Sequence, residues 1–161
     1  MIGAAFDFLH TLVRDTLNTY GATLTPTDAF VELDDNIVIE NNDEKKLKHG
    51  YCIEFLSDNI GTLSEISCNT QIEQLVRVTV TTSNFGTIRD IPLRKAAEKK
   101  LLGAKDSIVA AIGGNPQLND TIARCIYEGS DPIELIIDES EKVFLMKRIT
   151  LRLGYYIQDA Q

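Results

Sequence analysis

Apolar side chains recur at a helical period over residues 2–20. Ile2, Phe6, Leu9, Val13, Leu17 and Tyr20 fall on one stripe of a wheel turning about 100° per residue, and Asp7, Arg14, Asp15 and Asn18 oppose it. The pattern predicts an N-terminal amphipathic helix that stops at Gly21. Thr25-Pro26-Thr27-Asp28 then offers a cap, a proline in the first helical position and an acid soon after, which suits a single turn. Ala29 to Leu33 and Ile37 to Glu40 read as two short strands around the polar turn Asp34-Asp35-Asn36, a hairpin. Asn41 to His49 is polar throughout and reads as an exposed, mobile loop.

The pattern then changes to alternation. Tyr51, Ile53 and Phe55 alternate with Cys52, Glu54 and Leu56 in one strand. In a longer one, Ile72, Gln74, Val76, Val78 and Val80 line one face, and Glu73, Leu75, Arg77, Thr79 and Thr81 line the other. Pro92 opens a second helix whose stripe is Leu93, Ala97, Leu101, Ala104, Ile108, Ala111 and Ile112, with Gly113-Gly114 ending it. Leu102 and Val109 form a second apolar strip on its far side. Asn115-Pro116 reads as the cap and first residue of a third helix, with Leu118, Ile122, Cys125 and Ile126 inward and Gly129 after it. Ile133 to Ile137 and Val143 to Ile157 close the chain as a hairpin turned by Asp138-Glu139-Ser140-Glu141. Its last strand turns Leu145, Ile149, Leu151, Leu153, Tyr155 and Ile157 inward. Phe144, Met146, Arg148, Thr150, Arg152 and Tyr156 face the other way, a mixture that suits a partly covered surface. The order predicts an α+β fold, in which an N-terminal helix and a central helix pair pack on a mostly antiparallel sheet. No repeat or internal boundary divides the chain, so residues 1–161 read as one domain.

Charge changes this picture by being unevenly placed. The net charge is −8, and residues 1–44 carry all of it, with nine acids against the single base Arg14. Residues 45–161 balance, but hold basic strips at Arg94, Lys95, Lys99, Lys100 and Lys105 and at Lys147, Arg148 and Arg152. An acidic chain without a basic tract argues against nucleic-acid binding, which depends on neutralising phosphates. One acidic end and two basic strips instead suit head-to-tail self-association, in which unlike patches meet. The apolar stretches are too short for a membrane span of about 20 residues. Asp7 within the first apolar run, and no base before Arg14, do not suit a signal peptide. Cys52, Cys68 and Cys125 are an odd, widely spaced set, which points to buried thiols in a reducing compartment such as the cytoplasm.

Candidate chemistry is sparse. His10 sits at the edge of the first helical stripe and reads as a boundary residue. His49, Cys52 and Cys68 are three soft ligands without the paired spacing of a structural zinc site. Asp34-Asp35 invites an acid–base reading, but neighbours on a strand or turn point different ways. Gly113-Gly114-Asn115-Pro116 lacks the Lys-Ser or Lys-Thr of a phosphate loop. No nucleophile, base, metal set or cofactor loop emerges, and the expectation is a protein that is not an enzyme.

The order of elements carries a resemblance. An N-terminal amphipathic helix, a short acidic hairpin region and a strand ending Gln74-Leu75-Val76-Arg77-Val78-Thr79-Val80-Thr81 come first. Two helices follow, then a terminal strand reading Lys147-Arg148-Ile149-Thr150-Leu151-Arg152-Leu153-Gly154-Tyr155-Tyr156-Ile157. In this architecture, over nearly its whole length, the chain resembles the tail terminator proteins of long-tailed (siphovirus) bacteriophages. That family has no diagnostic motif, so the resemblance assigns no functional residue. It implies a structural virion protein of the tail–neck region, assembled in the host cytoplasm. Such a protein would form a homo-hexameric ring on the growing tail tube, stop its polymerisation and present a surface for head joining. The implied partners are further copies of the chain, the tail tube protein and a head-completion or neck protein, with no membrane and no sequence-specific nucleic acid. The charged loop at Asn41 to His49 and the length around Pro116 to Gly129 depart from the family pattern.

The charge placement supplies interface candidates: Asp34, Asp35, Asp43 and Glu44 on one side of a ring contact, and Arg148 and Arg152 on the other. The alternatives are another phage neck or head-completion adaptor, and, from a different class, a small metal-dependent nuclease using Asp34, Asp35 or Asp138.

Overall fold

A computed structural model describes residues 2–24, 27, 29–33, 50–60, 69–82, 90–137 and 143–158. Helix α1 spans Ile2–Thr23 and buries Ala5, Leu9, Val13, Leu17 and Gly21, a row repeating every four residues. The buried row is turned slightly from the largest apolar residues. Phe6 stays 42% exposed and lays its ring beside His10 and Phe55, at centroid distances of 4.3 and 5.1 Å. Helix α2 spans Ile91–Gly113. The Asp90 carboxylate caps it by accepting from the Leu93 N–H at 3.3 Å, and Pro92 sits where a missing N–H costs nothing. Ala97, Leu101, Ala104, Ile108 and Ile112 are its buried positions, while Leu93 and Leu102 remain exposed.

The strands are β1 (Val31–Glu32), β2 (Gly50–Ile60), β3 (Asn69–Thr81), β4 (Arg124–Ser130), β5 (Glu134–Ile137) and β6 (Val143–Gln158). They form one sheet in the order β1-β2-β3-β6-β4, with β5 also on β6. Strand β6 is the axis. It pairs antiparallel with β3 from Asn69↔Gln158 to Thr81↔Met146, and on its other edge with β4 and then β5. Asp131, Pro132 and Ile133 separate β4 from β5, and the Asp131 N–H still reaches the Arg148 carbonyl at 3.0 Å. The two strands thus form one edge broken at a proline, which has no ladder N–H to give. The sheet is mixed only because β1 runs parallel to β2.

Both helices pack on one face of the sheet. A single core joins their buried rows to Tyr51 and Ile53 of β2, Val76, Val78 and Val80 of β3, and Leu145, Ile149, Leu151 and Leu153 of β6. These are the positions that strict alternation turns inward. The other face carries no helix among the described residues. At one end it holds a small separate cluster of Phe144, Leu33 and Ile136.

The α+β class and the mostly antiparallel sheet are as expected, but the central helix pair is not. The third helix does not form. Asn115 turns its side chain back to the Ala111 carbonyl at 2.9 Å, closing α2 rather than opening a new helix. Leu118, Asn119 and Asp120 follow in left-handed conformations, with φ of 44°, 57° and 59°, and reverse the chain into β4. Leu118, Ile122 and Cys125 are buried as the helical reading required. Ile126 is 38% exposed, because alternation in a strand puts it opposite Cys125. Leu118, Ile122 and Cys125 fitted both periods, and the free edge of β6 decided between them. The end of the last strand also differs, since Ile157 is exposed beyond the core. The expected strand Ile37 to Glu40, the loop Asn41 to His49 and the turn Asp138 to Glu141 lie outside the described residues. So does most of the turn at Thr25 to Asp28.

Candidate interaction face

The helix-free face of the sheet carries a set of charged side chains drawn from several strands. Alternation turns Glu54 of β2, Glu73 and Arg77 of β3, and Arg148 and Arg152 of β6 to this side. Register then sorts them into pairs. Glu54 stands opposite Arg77, whose Nη2 donates to Glu54 Oε2 at 3.0 Å. Arg152 Nη1 donates to Glu73 Oε2 at 3.0 Å, and its Nε lies 2.8 Å from Glu128 Oε1 on β4. Arg148 Nη1 donates to Glu134 Oε1 of β5 at 3.1 Å. Arg124 Nη2 of β4 approaches the second oxygen of Glu73 at 3.5 Å.

Gly154 makes the last contact possible. It lies on β6 between Arg124 and Glu73, opposite both. A Cβ at that position would meet Arg124 Cγ at 3.2 Å, so the absent side chain lets the arginine lie across the central strand. The result is a tie over β3, β6 and β4, with a second tie between β2 and β3. Exposed cross-strand pairs of this kind contribute roughly 0.2–1 kcal/mol each. Glu54–Arg77 is the most enclosed, with 12% and 27% of the two side chains accessible. The larger effect is positional. Long side chains that would otherwise sample many rotamers are held flat and in register.

Among the sequence-derived site residues, Arg148 and Arg152 therefore occupy the same face, each already bound by glutamates of its own chain. Asp34, Asp35, Asp43 and Glu44 lie outside the described residues. The carboxylates that engage the arginines are Glu73, Glu128 and Glu134. Sequence reasoning missed them because they come from three strands and only register brings them together. Glu73 and Arg77 were visible as outward-facing charges, but the partner of each depends on pairing that no local pattern records.

Other groups have structural roles. His10 Nδ1 lies 3.4 Å from a Glu32 carboxylate oxygen while the ring packs on Phe6. Cys125 is buried, and desolvation pushes its thiol from an ordinary value near 9.0 up to about 12, far from a reactive thiolate. Burial also raises Tyr20, Tyr51 and Tyr155. Lys147 is buried on the helix side, where Nζ donates to the Asp131 carbonyl at 2.6 Å. A cleft of about 400 Å³ between the helices is lined by Asp15, Thr16, Thr19, Tyr20, Thr23 and Ser107. Its hydroxyls are partly used, since Thr23 donates to the Tyr20 carbonyl and Ser107 to that of Gly103. Among the described residues no cluster of three or more His, Cys, Asp or Glu is placed to hold a metal ion. No described helix is long and apolar enough to cross a membrane. Comparison with known protein families finds no model that matches the chain, and comparison with curated proteins finds no matching sequence.

Proposed function

We propose that the chain is a structural virion protein that caps the growing tail tube of a long-tailed phage as a homo-hexameric ring. It stops polymerisation of the tube there and provides the surface to which a head-completion or neck protein joins. The observation that carries this reading is the helix-free sheet face, where Arg77, Arg124, Arg148 and Arg152 are held in register by Glu54, Glu73, Glu128 and Glu134. A flat face of fixed, matched charges suits a repeated protein–protein contact, in which specificity and orientation matter more than raw affinity. Acids already matched by arginines suit contact with protein better than coordination of a catalytic cation. The acidic excess in residues 1–44 supports the same reading, because it can meet a basic patch on a neighbouring copy.

The ring contact is tested by exchanging charges within one pair. In the double variant Arg148→Glu with Glu134→Arg, the in-chain pair survives with its polarity reversed. Sedimentation and negative-stain microscopy of the protein, alone and with tube protein, should show six-membered rings for the natural chain and weakened rings for the exchange. Full ring formation by the double variant would remove Arg148 from the interface. Failure of the natural chain to form rings under either condition would contradict the reading.

A further inference from the structure

We propose that the flank of α2 turned away from α1, with the strip of sheet beside it on β4 and β5, receives the acidic segment 34–44 of a second copy of the chain. Successive residues of a helix are turned by about 100°. Gly103 and Ser107 meet α1, at the Tyr20 ring and at the cleft between the helices. Ile91, Leu102 and Val109, eleven and then seven residues apart, therefore lie together on the far flank. Ile91 is 50% exposed and Leu102 43%. The sheet beside this flank is also apolar. Tyr127 of β4 stands opposite the core residue Leu151 and so points to the helix side. Lys105 on the flank, hydrogen-bonded to Asp106, also feels the Tyr127 hydroxyl. Leu135 of β5 points to the same side, opposite Leu145, and is 38% exposed. Apolar side chains left in water along a helix and the adjoining strands mark a contact surface.

Charge names the occupant. Helix α2 carries five bases against the two acids Glu98 and Asp106, and Lys95 and Lys99 are exposed. Residues 34–44 carry five acids and no base, placed on both sides of Ile37-Val38-Ile39. Each partner thus offers apolar groups among charges of one sign, and the two signs are opposite. Such complementarity selects a partner and sets its register.

Topology gives the segment to a neighbour. Val31 pairs with Gly50, and the Leu33 N–H donates to the Tyr51 carbonyl at 2.8 Å. The chain therefore leaves the sheet and returns to it on the β1–β2 edge. The basic flank lies toward the opposite edge, four strand spacings away in the order β1-β2-β3-β6-β4, or about 19 Å. With the donor at one edge and the receiver at the other, copies link head to tail, the kind of contact that closes into rings. The inference deepens the ring reading by naming the neighbour's surface, but it requires only that the chain self-associates.

The test is sedimentation equilibrium of the full chain and two single-sided variants. Lys95→Glu with Leu102→Glu alters the receiver, and Asp34→Lys with Asp35→Lys alters the donor. Lys95 and Leu102 are exposed, so melting temperatures of the receiver variant should stay near that of the natural chain; Leu102→Gln alone is the milder substitute. The natural chain should self-associate, less so as salt is raised, and each variant should dissociate about tenfold more readily or worse. Mixing the two variants should restore one-to-one dimers, because one intact donor then meets one intact receiver. A natural chain that stays monomeric, variants that associate like it, or a mixture that stays monomeric would each overturn the contact. Negative-stain microscopy with tube protein separates this from the capping proposal. Intact rings from the receiver variant would overturn the contact and leave capping standing, while dimers by mixing without any rings on tubes would do the reverse.

Discussion

The ring of Tyr20 in α1 lies against the backbone of Gly103 in α2, and its hydroxyl donates to the Lys100 carbonyl at 3.0 Å. A Cβ on residue 103 would come within 2.7 Å of the Tyr20 Cζ and 2.9 Å of Cε2. The two helices approach closely at this point because one contributes a flat ring and the other contributes no side chain.

Gly103→Ala should therefore destabilise the fold despite alanine's better helix propensity. Overpacking costs about 1–3 kcal/mol, and the propensity gain returns about 0.5–1 kcal/mol, leaving a net loss on the order of 1 kcal/mol. Denaturant unfolding of Gly103→Ala, Tyr20→Leu and the pair provides the check. The double variant should be more stable than the sum of the single losses predicts, since the smaller side chain makes room for the new methyl. Simple additivity would show that the two residues do not meet.

The left-handed turn at Leu118, Asn119 and Asp120 makes a second prediction. Residues with a Cβ lose about 1–2 kcal/mol in this conformation, and asparagine is among the few that visit it routinely. Asn119→Gly should therefore be more stable than Asn119→Ala by about 1 kcal/mol, measured by urea unfolding. In a right-handed helix the order would reverse, because alanine is favoured there and glycine is not. The pair of variants thus separates the observed turn from the helix that the apolar spacing suggested.

Alkaline pH should weaken the fold, and the sign follows from Cys125. Its folded thiol is held up to about 12 by burial, against an ordinary value near 9.0. Stability from keeping it neutral is complete below pH 9. Above that the unfolded chain releases the proton and the folded chain does not, so stability falls by up to about 1.4 kcal/mol per pH unit until near pH 12. The raised hydroxyls of Tyr20, Tyr51 and Tyr155 act in the same direction. Unfolding free energies at pH 8 and pH 10.5 should diverge more for the natural chain than for Cys125→Ala. Identical differences would show that Cys125 ionises alike in both states.

Much of this architecture was legible in the sequence, for identifiable reasons. Helix α1 announces itself by the stripe of Ile2, Phe6, Leu9, Val13, Leu17 and Tyr20, spaced by three and four residues, and β3 by five alternating positions ending in three valines, patterns that fit only one period. The segment after Gly114 was misread because Leu118, Ile122 and Cys125 satisfy helical spacing and also the inward positions of a turn and strand. Pairing with β6 settled that choice, and pairing is not a local property. The parallel union of β1 with β2 was hidden for the same reason. Nothing around Val31 states that it will lie beside Gly50, where a Cβ would strike the Leu33 side chain. At the candidate face, alternation was enough to turn Arg148 and Arg152 outward. Their engagement by Glu73, Glu128 and Glu134 rests on long-range register.

The most direct measurement is electron microscopy of phage particles made when the gene for this chain is silenced. The tail-capping proposal predicts filled heads without tails, beside free tubes of irregular or excessive length. Tails of normal length that fail to attach would contradict the capping role and indicate a neck adaptor. Normal, infectious particles would contradict any role in the virion.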